Sequence, residues 1–315
     1  MRIGILTFVS EKKKIAVGTS RIIAQARSRG HEVTVFYKQY VGLVFGNGKT
    51  LTYKGEVINP KDYDVILVRP GFTEDPSVNS SIIKQFQLAG FFVLNGYIGV
   101  FRAKNKIRTL QMLDHFGIPV PKTVVVENLD LLEKAATEFH FPVIIKAVHG
   151  THGRGVFLAE SVRSLKPIVE YLTTREHGPV TVQEYIKEAK GKDLRIFVLG
   201  KRVAAAMERE ATGEEFRANF HKGGTVTLAD LTKEERLMAI KATRILGLDI
   251  SGVDILRTKT GPKIIEVNSN PGLEGISLAT GIDVAKKVVD FCERSVKKLP
   301  SKQKHHPIQA AEMKE

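Results

Sequence analysis

The chain has one cysteine and no tryptophan in 315 residues, and no apolar run approaches the roughly 18 residues of a membrane span. The lone thiol, Cys292, excludes an internal disulfide framework and fits a reducing, cytoplasmic setting. Acidic residues are scarce beside basic ones, 34 against 48, which leaves a net charge of +14. That surplus would draw an acidic partner such as nucleic acid, a nucleotide or an acidic peptide, although a merely solvated basic surface explains it too. Helix-turn-helix, zinc-spacing and aromatic RNA-binding motifs are missing, so direct sequence-specific reading of nucleic acid is not expected. Missing too are a Gly-x-Gly-x-x-Gly fingerprint after the first strand and the Gly-Lys-Ser/Thr of a Walker loop. No Ser-His-Asp or Cys-His arrangement offers a covalent nucleophile, and the nine histidines are scattered.

What is present is the composition of a globular protein, 43% hydrophobic and 26% charged, in a chain long enough for two or three domains. Met1 to Val9 reads as a first strand and not as an export signal, because it is short and runs into Glu11-Lys12-Lys13-Lys14. Short apolar runs at Ile3–Val9, Glu32–Tyr37, Val65–Arg69 and Phe92–Leu94 alternate with helical patterns at Ser20–Arg29 and Val78–Ala89. They predict a small parallel α/β domain over 1–96. A helix from Ala103 to Phe116, stopped by Gly117-Ile118-Pro119-Val120-Pro121, opens a second unit over 97–183. That unit has strands at Thr123–Val126, Val143–Ala147 and Val156–Leu158, and helices at Leu129–Phe139 and Val162–Tyr171. A third, strand-rich unit over 184–300 carries a helix with a Thr232/Glu235 capping box and Gly247 as its stop, then a last helix from Val284 to Leu299. The tail 301–315 is little apolar and is expected to be mobile.

Chemistry is concentrated in the third unit. Asp254 lies in one alternating strand, while Glu266 and Asn268 share a face of the next, since side chains repeat every second residue. Two carboxylates and an amide are hard oxygen donors suited to Mg²⁺, and Asn268-Ser269-Asn270-Pro271-Gly272 turns the chain sharply behind them. Taken alone, the trio fits equally well a hairpin with a wet polar face. Lys146 ends the buried strand Val143-Ile144-Ile145-Lys146, where an ammonium is costly unless it meets an anion. Glycines at 150, 153 and 155, with Arg154, follow it and permit close backbone approach to phosphate. Lys106 lies in the basic stretch Arg102 to Arg108, where a solvated helix face is the simpler account.

After the strand Val182-Gln183-Glu184-Tyr185-Ile186 and the turn Lys187–Lys192 comes Asp193-Leu194-Arg195-Ile196-Phe197-Val198. In this order the pieces resemble the ATP-grasp fold over nearly the whole chain. The nearest resemblance is to RimK-type glutamate ligases, carried by Val182–Ala189, Phe216–Gly224 and Asn270–Ile276. The family commonly has Arg where this chain has Lys222 and Ser where it has Asn270.

The resemblance implies an α/β (α+β) protein of three domains, with an N-terminal Rossmann-like pre-ATP-grasp sheet and ATP held between two α+β domains. It makes Gln183, Glu184, Tyr185 and Ile186 the hinge strand beside adenine, the backbone of Glu184 and Ile186 reading the base edge. Asp193 would hold the ribose and Lys106 and Lys146 the phosphates, and Gly153, Arg154 and Gly155 would belong to a lid. Asp254, Glu266 and Asn268 would bind Mg²⁺ or Mn²⁺, two ions in all. The implied reaction joins L-glutamate to the C-terminus of a small-subunit ribosomal protein through an acyl phosphate, and it can be repeated to give poly-α-glutamate. Lys146 and Arg217 are the expected catalytic residues, because a planar guanidinium matches phosphate and carboxylate geometry; Asn219 would complete the contacts. A surface pair of Arg217 with Glu214 or Glu215 is the alternative for that arginine. A homo-oligomer, often a tetramer, also follows from the resemblance. A sister ligase for a cofactor, small molecule or amino-acid carrier protein, and a non-catalytic nucleotide-binding module, stay open.

Overall fold

The computed structural model describes residues 1–46, 50–72, 76–128, 131, 132, 136, 138–148, 155–176, 178–189, 191–212 and 224–299. The fold opens with strand β1 (Arg2–Thr7), helix α1 (Val17–Ser28) and strand β2 (Glu32–Tyr37). Strands β3 (Val41–Val44), β4 (Thr50–Tyr53) and β5 (Glu56–Val57) follow, then β6 (Val65–Arg69), helix α2 (Pro76–Leu88) and β7 (Val93–Leu94). β2, β1, β6 and β7 form, in that order, the expected parallel sheet. Every residue of β6 is buried, as a parallel sheet covered by helices on both faces requires. α1 presents Gly18, Thr19, Ile22, Ile23 and Ala26 to one face, the spacing of a single helical stripe. α2 covers the other face, where Phe36, Phe86 and Phe91 are fully buried. β3, β4 and β5 make a small antiparallel sheet that the sequence pattern did not disclose. Its strands span only two to four residues, and periodicity cannot speak over so short a run.

The helix expected from Ala103 to Phe116 is α4 (Lys106–His115), and a short helix that the pattern did not disclose, α3 (Tyr97–Ala103), precedes it. Asn105 separates the two: its backbone is extended and its side chain accepts from the Arg108 N–H at 3.1 Å, so it caps α4. Gly99 in α3 passes the turn at Gly247 so closely that a Cβ there would strike the Gly247 carbonyl.

The second unit is a four-stranded antiparallel sheet of β8 (Thr123–Val126), β9 (Val143–Ala147), β10 (Val156–Ala159) and β11 (Val180–Glu184), in the order β10-β9-β11-β8. Helix α5 (Val162–Glu176) packs on it. Most of the helix expected at Leu129–Phe139 lies outside the described residues, as does the tail.

In the third unit a five-stranded antiparallel sheet runs β14-β13-β12-β15-β16. Its members are β12 (Lys192–Leu199), β13 (Arg202–Glu210), β14 (Thr225–Leu228), β15 (Ile250–Thr258) and β16 (Gly261–Asn268). Helix α6 (Lys233–Leu246) begins with the predicted capping box at Thr232 and Glu235 and ends at Gly247 in the left-handed conformation, φ 78°. It covers one face, built on Leu194, Ile196, Val198, Val253, Ile255, Ile264 and Val267. At its lower end the opposite face joins the N-terminal sheet and helices α7 (Glu274–Thr280) and α8 (Val284–Lys298) in a shared core: Ile3, Ile5 and Leu67 lie with Phe197, Met207, Ile276 and Val288. Full burial of each such side chain contributes about 1.5–3 kcal/mol, so the first and third units hold one another in register. The upper end of that face carries polar residues instead. Cys292 lies inside this core, and burial pushes its thiol up to about 12. Among the described residues no helix is long and apolar enough to cross a membrane.

Candidate active site

Strand register assembles the site. Asp254 stands opposite Glu266 on β16 and opposite Arg195 on β12. Asp193, two residues from Arg195, stands opposite Arg209 on β13. Directly paired residues of an antiparallel sheet share a face, so Asp193, Arg195, Arg209, Asp254, Glu266 and Asn268 all project to one side.

Asp254 is 2% exposed and is gripped by guanidiniums. Arg195 meets it bidentately, Nε to Oδ1 and Nη2 to Oδ2, the latter at 2.6 Å. Arg209 reaches Oδ2 at 2.9 Å and clasps Asp193 with its Nε and Nη2 at 2.6 and 2.7 Å. Burial alone would raise the Asp254 carboxyl, but the two arginines outweigh it and hold the group below the usual carboxylate range. Burial wins at Asp193, lifted to about 6 against the pull of Arg209 and with Asp254 adding repulsion. Asn268 lies beside Asp254, its Nδ2 at 3.5 Å from Oδ2.

These residues fit a hard divalent cation. A carboxylate has about four lone-pair positions, and the guanidiniums occupy three of those on Asp254, which leaves room beside the Glu266 carboxylate and the Asn268 carbonyl. Among the described residues no cluster of three or more His, Cys, Asp or Glu is arranged around a metal position. An ion here would complete its shell from water and phosphate, as Mg²⁺ does in nucleotide sites.

The second unit supplies the cations. Lys146 donates to Gln183 Oε1 at 2.7 Å, and Gln183, buried in β11, donates onward to Thr123 Oγ1 at 2.8 Å. Burial lowers the Lys146 ammonium to about 8; Glu266, Asp254 and Asp193 oppose the shift and Lys106 adds to it. The expected phosphate lysines and the expected metal ligands are thus within electrostatic reach of one another across the cleft. Lys106, at the first turn of α4, points Nζ to the Val148 carbonyl at 3.5 Å. Gly155 has φ 73°, and its carbonyl accepts from the Ala147 N–H at 3.0 Å.

In the hinge, Ile186 is buried and Tyr185 half-buried. The Glu184 N–H donates to the Lys122 carbonyl at 2.9 Å, and its carboxylate takes Lys263 Nζ at 2.6 Å and the Lys122 N–H at 2.9 Å. That carboxylate therefore ties the central sheet to β16. Gly153, Arg154, Arg217 and Asn219 lie outside the described residues.

Four residues here escaped the reading of the sequence. The alternation Asp193-x-Arg195 on a strand carried a signal for Arg195; Arg209, one charge in Met207-Glu208-Arg209-Glu210, carried none. Asn95 had passed for a domain end. Its buried amide donates to the Ile250 and Ser269 carbonyls at 2.7 and 3.1 Å and accepts from the Asp249 and Ile250 N–H groups at 2.7 Å, which staples the roots of β15 and β16 together. Lys104 donates to the Phe72 carbonyl at 2.9 Å; burial lowers it to about 8, with Glu266 opposing.

Residues 103–292 match the RimK-like ATP-grasp domain, and residues 1–100 match the RimK pre-ATP-grasp domain. The chain belongs to the RimK-type ATP-grasp family. Its relatives include the probable alpha-L-glutamate ligase of Vibrio atlanticus, 39% identical over 299 residues that cover 94% of this chain and 97% of that protein. The protein of the same description from Pseudoalteromonas translucida is 40% identical, with 94% and 96% covered. Solved structures share the fold. The RimK domain ATP-grasp protein of Sphaerobacter thermophilus superposes with a TM-score of 0.70 at 23% identity, covering 92% of this chain and 99% of that one. The ATP-grasp ligase PsnB, complexed with a minimal precursor, gives 0.70 at 19% identity, with 93% and 98% covered. As a RimK-type ATP-grasp protein the chain is a carboxylate–amine ligase.

Proposed function

We propose that this ligase adds L-glutamate to the C-terminal carboxylate of an acidic acceptor, a small-subunit ribosomal protein, at the expense of ATP. The observation that carries the reading is the facing of Lys146, poised on Gln183, and the Asp254, Glu266 and Asn268 trio within one charge network. The names of the relatives supply glutamate, and PsnB, complexed with its precursor peptide PsnA2, offers a precedent for a peptide acceptor on this fold.

In this reading the acceptor carboxylate attacks the γ-phosphorus of ATP, ADP leaves, and an acyl phosphate forms. The glutamate amine then displaces phosphate, losing a proton as the amide forms. Positioning and charge neutralisation carry such a transfer, with little covalent help from the protein. Lys106 and Lys146 receive phosphate oxygens, and the pair of arginines keeps Asp254 ionised and oriented. Asp193 faces the ribose, and the hinge from Gln183 to Ile186 borders the base. Arg217 and Asn219 complete the acyl-phosphate contacts. Asp254, Glu266 and Asn268 would hold Mg²⁺ or Mn²⁺, two ions in this reading, which would supply positive charge to the transferring phosphate. A homotetramer working in the cytoplasm belongs to the same reading, testable by light scattering.

The test is ADP release with ATP, Mg²⁺, glutamate and a peptide carrying the ribosomal protein's C-terminus, followed by mass spectrometry. A mass gain of one or more glutamyl residues on the peptide is expected. ADP release that needs a small-molecule acid in place of the peptide would move the activity to a sister ligase.

A further inference from the structure

Two cations, buried Arg69 and half-buried Lys104, take no part in the nucleotide and metal assignments, and both adjoin the chain that leaves β6. Arg69 ends β6 and is 5% exposed. Its Nε donates to Thr19 Oγ1 at 3.1 Å and its Nη2 to the Pro271 carbonyl at 3.2 Å, and both partners are neutral. Among the described residues no carboxylate lies within ion-pair distance of it; Glu274 acts only from farther away, and burial brings the guanidinium down to about 10. An arginine buried with no counter-ion among the described residues is costly, which a purely structural staple between two loops would not require.

Its position supplies a reason. The sheet order β2-β1-β6-β7 puts the reversal of strand connection between β1 and β6, and open parallel sheets bind ligands in the crevice beyond the strand ends at that point. From Arg69 the chain runs through Gly71, where a Cβ would sit 3.6 Å from Asn270 Nδ2, to Phe72. The Phe72 carbonyl accepts from Lys104, whose Nζ stands 4.8 Å above the Phe72 ring. The acid that acts on Lys104 is Glu266, the expected metal ligand. The turn after β16 also buries Asn270 Oδ1, which has no hydrogen-bond partner among the described residues.

We propose that Arg69 and Lys104 hold the carboxylates of the incoming amino acid, while Asn270 Oδ1 accepts from its amine. This deepens the ligase reading and rests on it. The chemistry separates the two substrates. The acceptor's reacting carboxylate is consumed as an acyl phosphate and must face the phosphates. The amine component keeps its carboxylates from start to finish and needs lasting counter-cations. Two cations joined by the short run from Arg69 to Phe72, whose carbonyl Lys104 holds, suit an amino acid with a second carboxylate in its side chain.

The experiment measures ADP release by the wild type with acceptor peptide and each of the twenty amino acids, then the KM values of R69K and K104Q for the amino acid used and for ATP. Binding of labelled glutamate in the presence of a non-hydrolysable ATP analogue, by equilibrium dialysis, accompanies the kinetics. Each variant is expected to raise the amino-acid KM about 10- to 100-fold, the effect of losing a charged hydrogen bond, and to leave the KM for ATP within about twofold. R69K keeps the charge and loses the fork; K104Q, on a half-buried side chain, tests the same pair if R69K folds poorly. An unchanged amino-acid KM in both variants overturns the proposal, as does a rise confined to the acceptor peptide or matched by ATP. A wild type idle with glutamate but active with another amino acid sinks the glutamate reading alone, and the variants are then read with that substrate.

Discussion

Replacing Asp254 by Asn should do more than remove a proposed metal ligand. The carboxylate receives three guanidinium contacts, from side chains that are only 16% and 9% exposed at Arg195 and Arg209. An amide of the same shape leaves both cations buried against a neutral group, and removing one partner of a buried ion pair costs about 3–5 kcal/mol. Arg209 keeps Asp193, which places the expected loss near the lower end, about 3 kcal/mol. At about 1.5–2 °C per kcal/mol for a chain of 315 residues, melting should fall by about 4–6 °C, read by circular dichroism without nucleotide or metal. Glu266 is half-buried and has no ion pair among the described residues, so Glu266→Gln should melt within about 2 °C of the wild type while raising the Mg²⁺ needed for half-maximal turnover. Arg195→Met combined with Asp254→Asn should lose less stability than the two singles added, since the orphaned cation is removed with its partner. If Asp254→Asn melted as the wild type does, the claim that the arginines need this carboxylate would be wrong.

Other expectations concern protons and packing. Because Lys146 falls to about 8 in the fold from 10.5, the unfolded chain holds its proton longer, and stability should rise between about pH 8 and 10.5. Bound phosphate would restore the ammonium, so calorimetry at pH 8 in buffers of different ionisation enthalpy should show uptake of about half a proton per ATP that Lys146→Met abolishes. Gly252→Ala would place a Cβ 2.8 Å from Pro271 Cβ and 3.2 Å from Arg195 Cδ. The stiff proline cannot yield, so a loss of about 1–3 kcal/mol and a weaker Mg²⁺ response in a metal titration are expected. Thr232→Ala removes the capping box of α6 and should cost about 1 kcal/mol in urea denaturation with kcat and KM unchanged.

The shared face of Asp254, Glu266 and Asn268 was legible in the sequence because strand alternation is a local rule, and two positions of the same parity on β16 must share a face wherever the strand goes. Lys146 stood out for a related reason, since an ammonium at the end of a buried strand is costly; in the fold it donates to the neutral Gln183 amide. The parallel N-terminal sheet and the capping box of α6 likewise rest on patterns within a few residues. Helix α3 was not visible, because its seven residues are too few for apolar spacing to declare a period; the Asn105 amide, turned to the Arg108 N–H, starts α4 anew behind it. Arg209, Asn95, Arg69 and Lys104 were hidden for a deeper reason: each acts on a residue far away in the chain. Whether a charge lies against Asp254 and Asp193 or in water depends on which strands become neighbours in the β14-β13-β12-β15-β16 order. Spacing along the chain records the period of each strand and says nothing of its partner, and partner choice is settled by the shared core of the first and third units, where Ile3, Phe197 and Val288 meet.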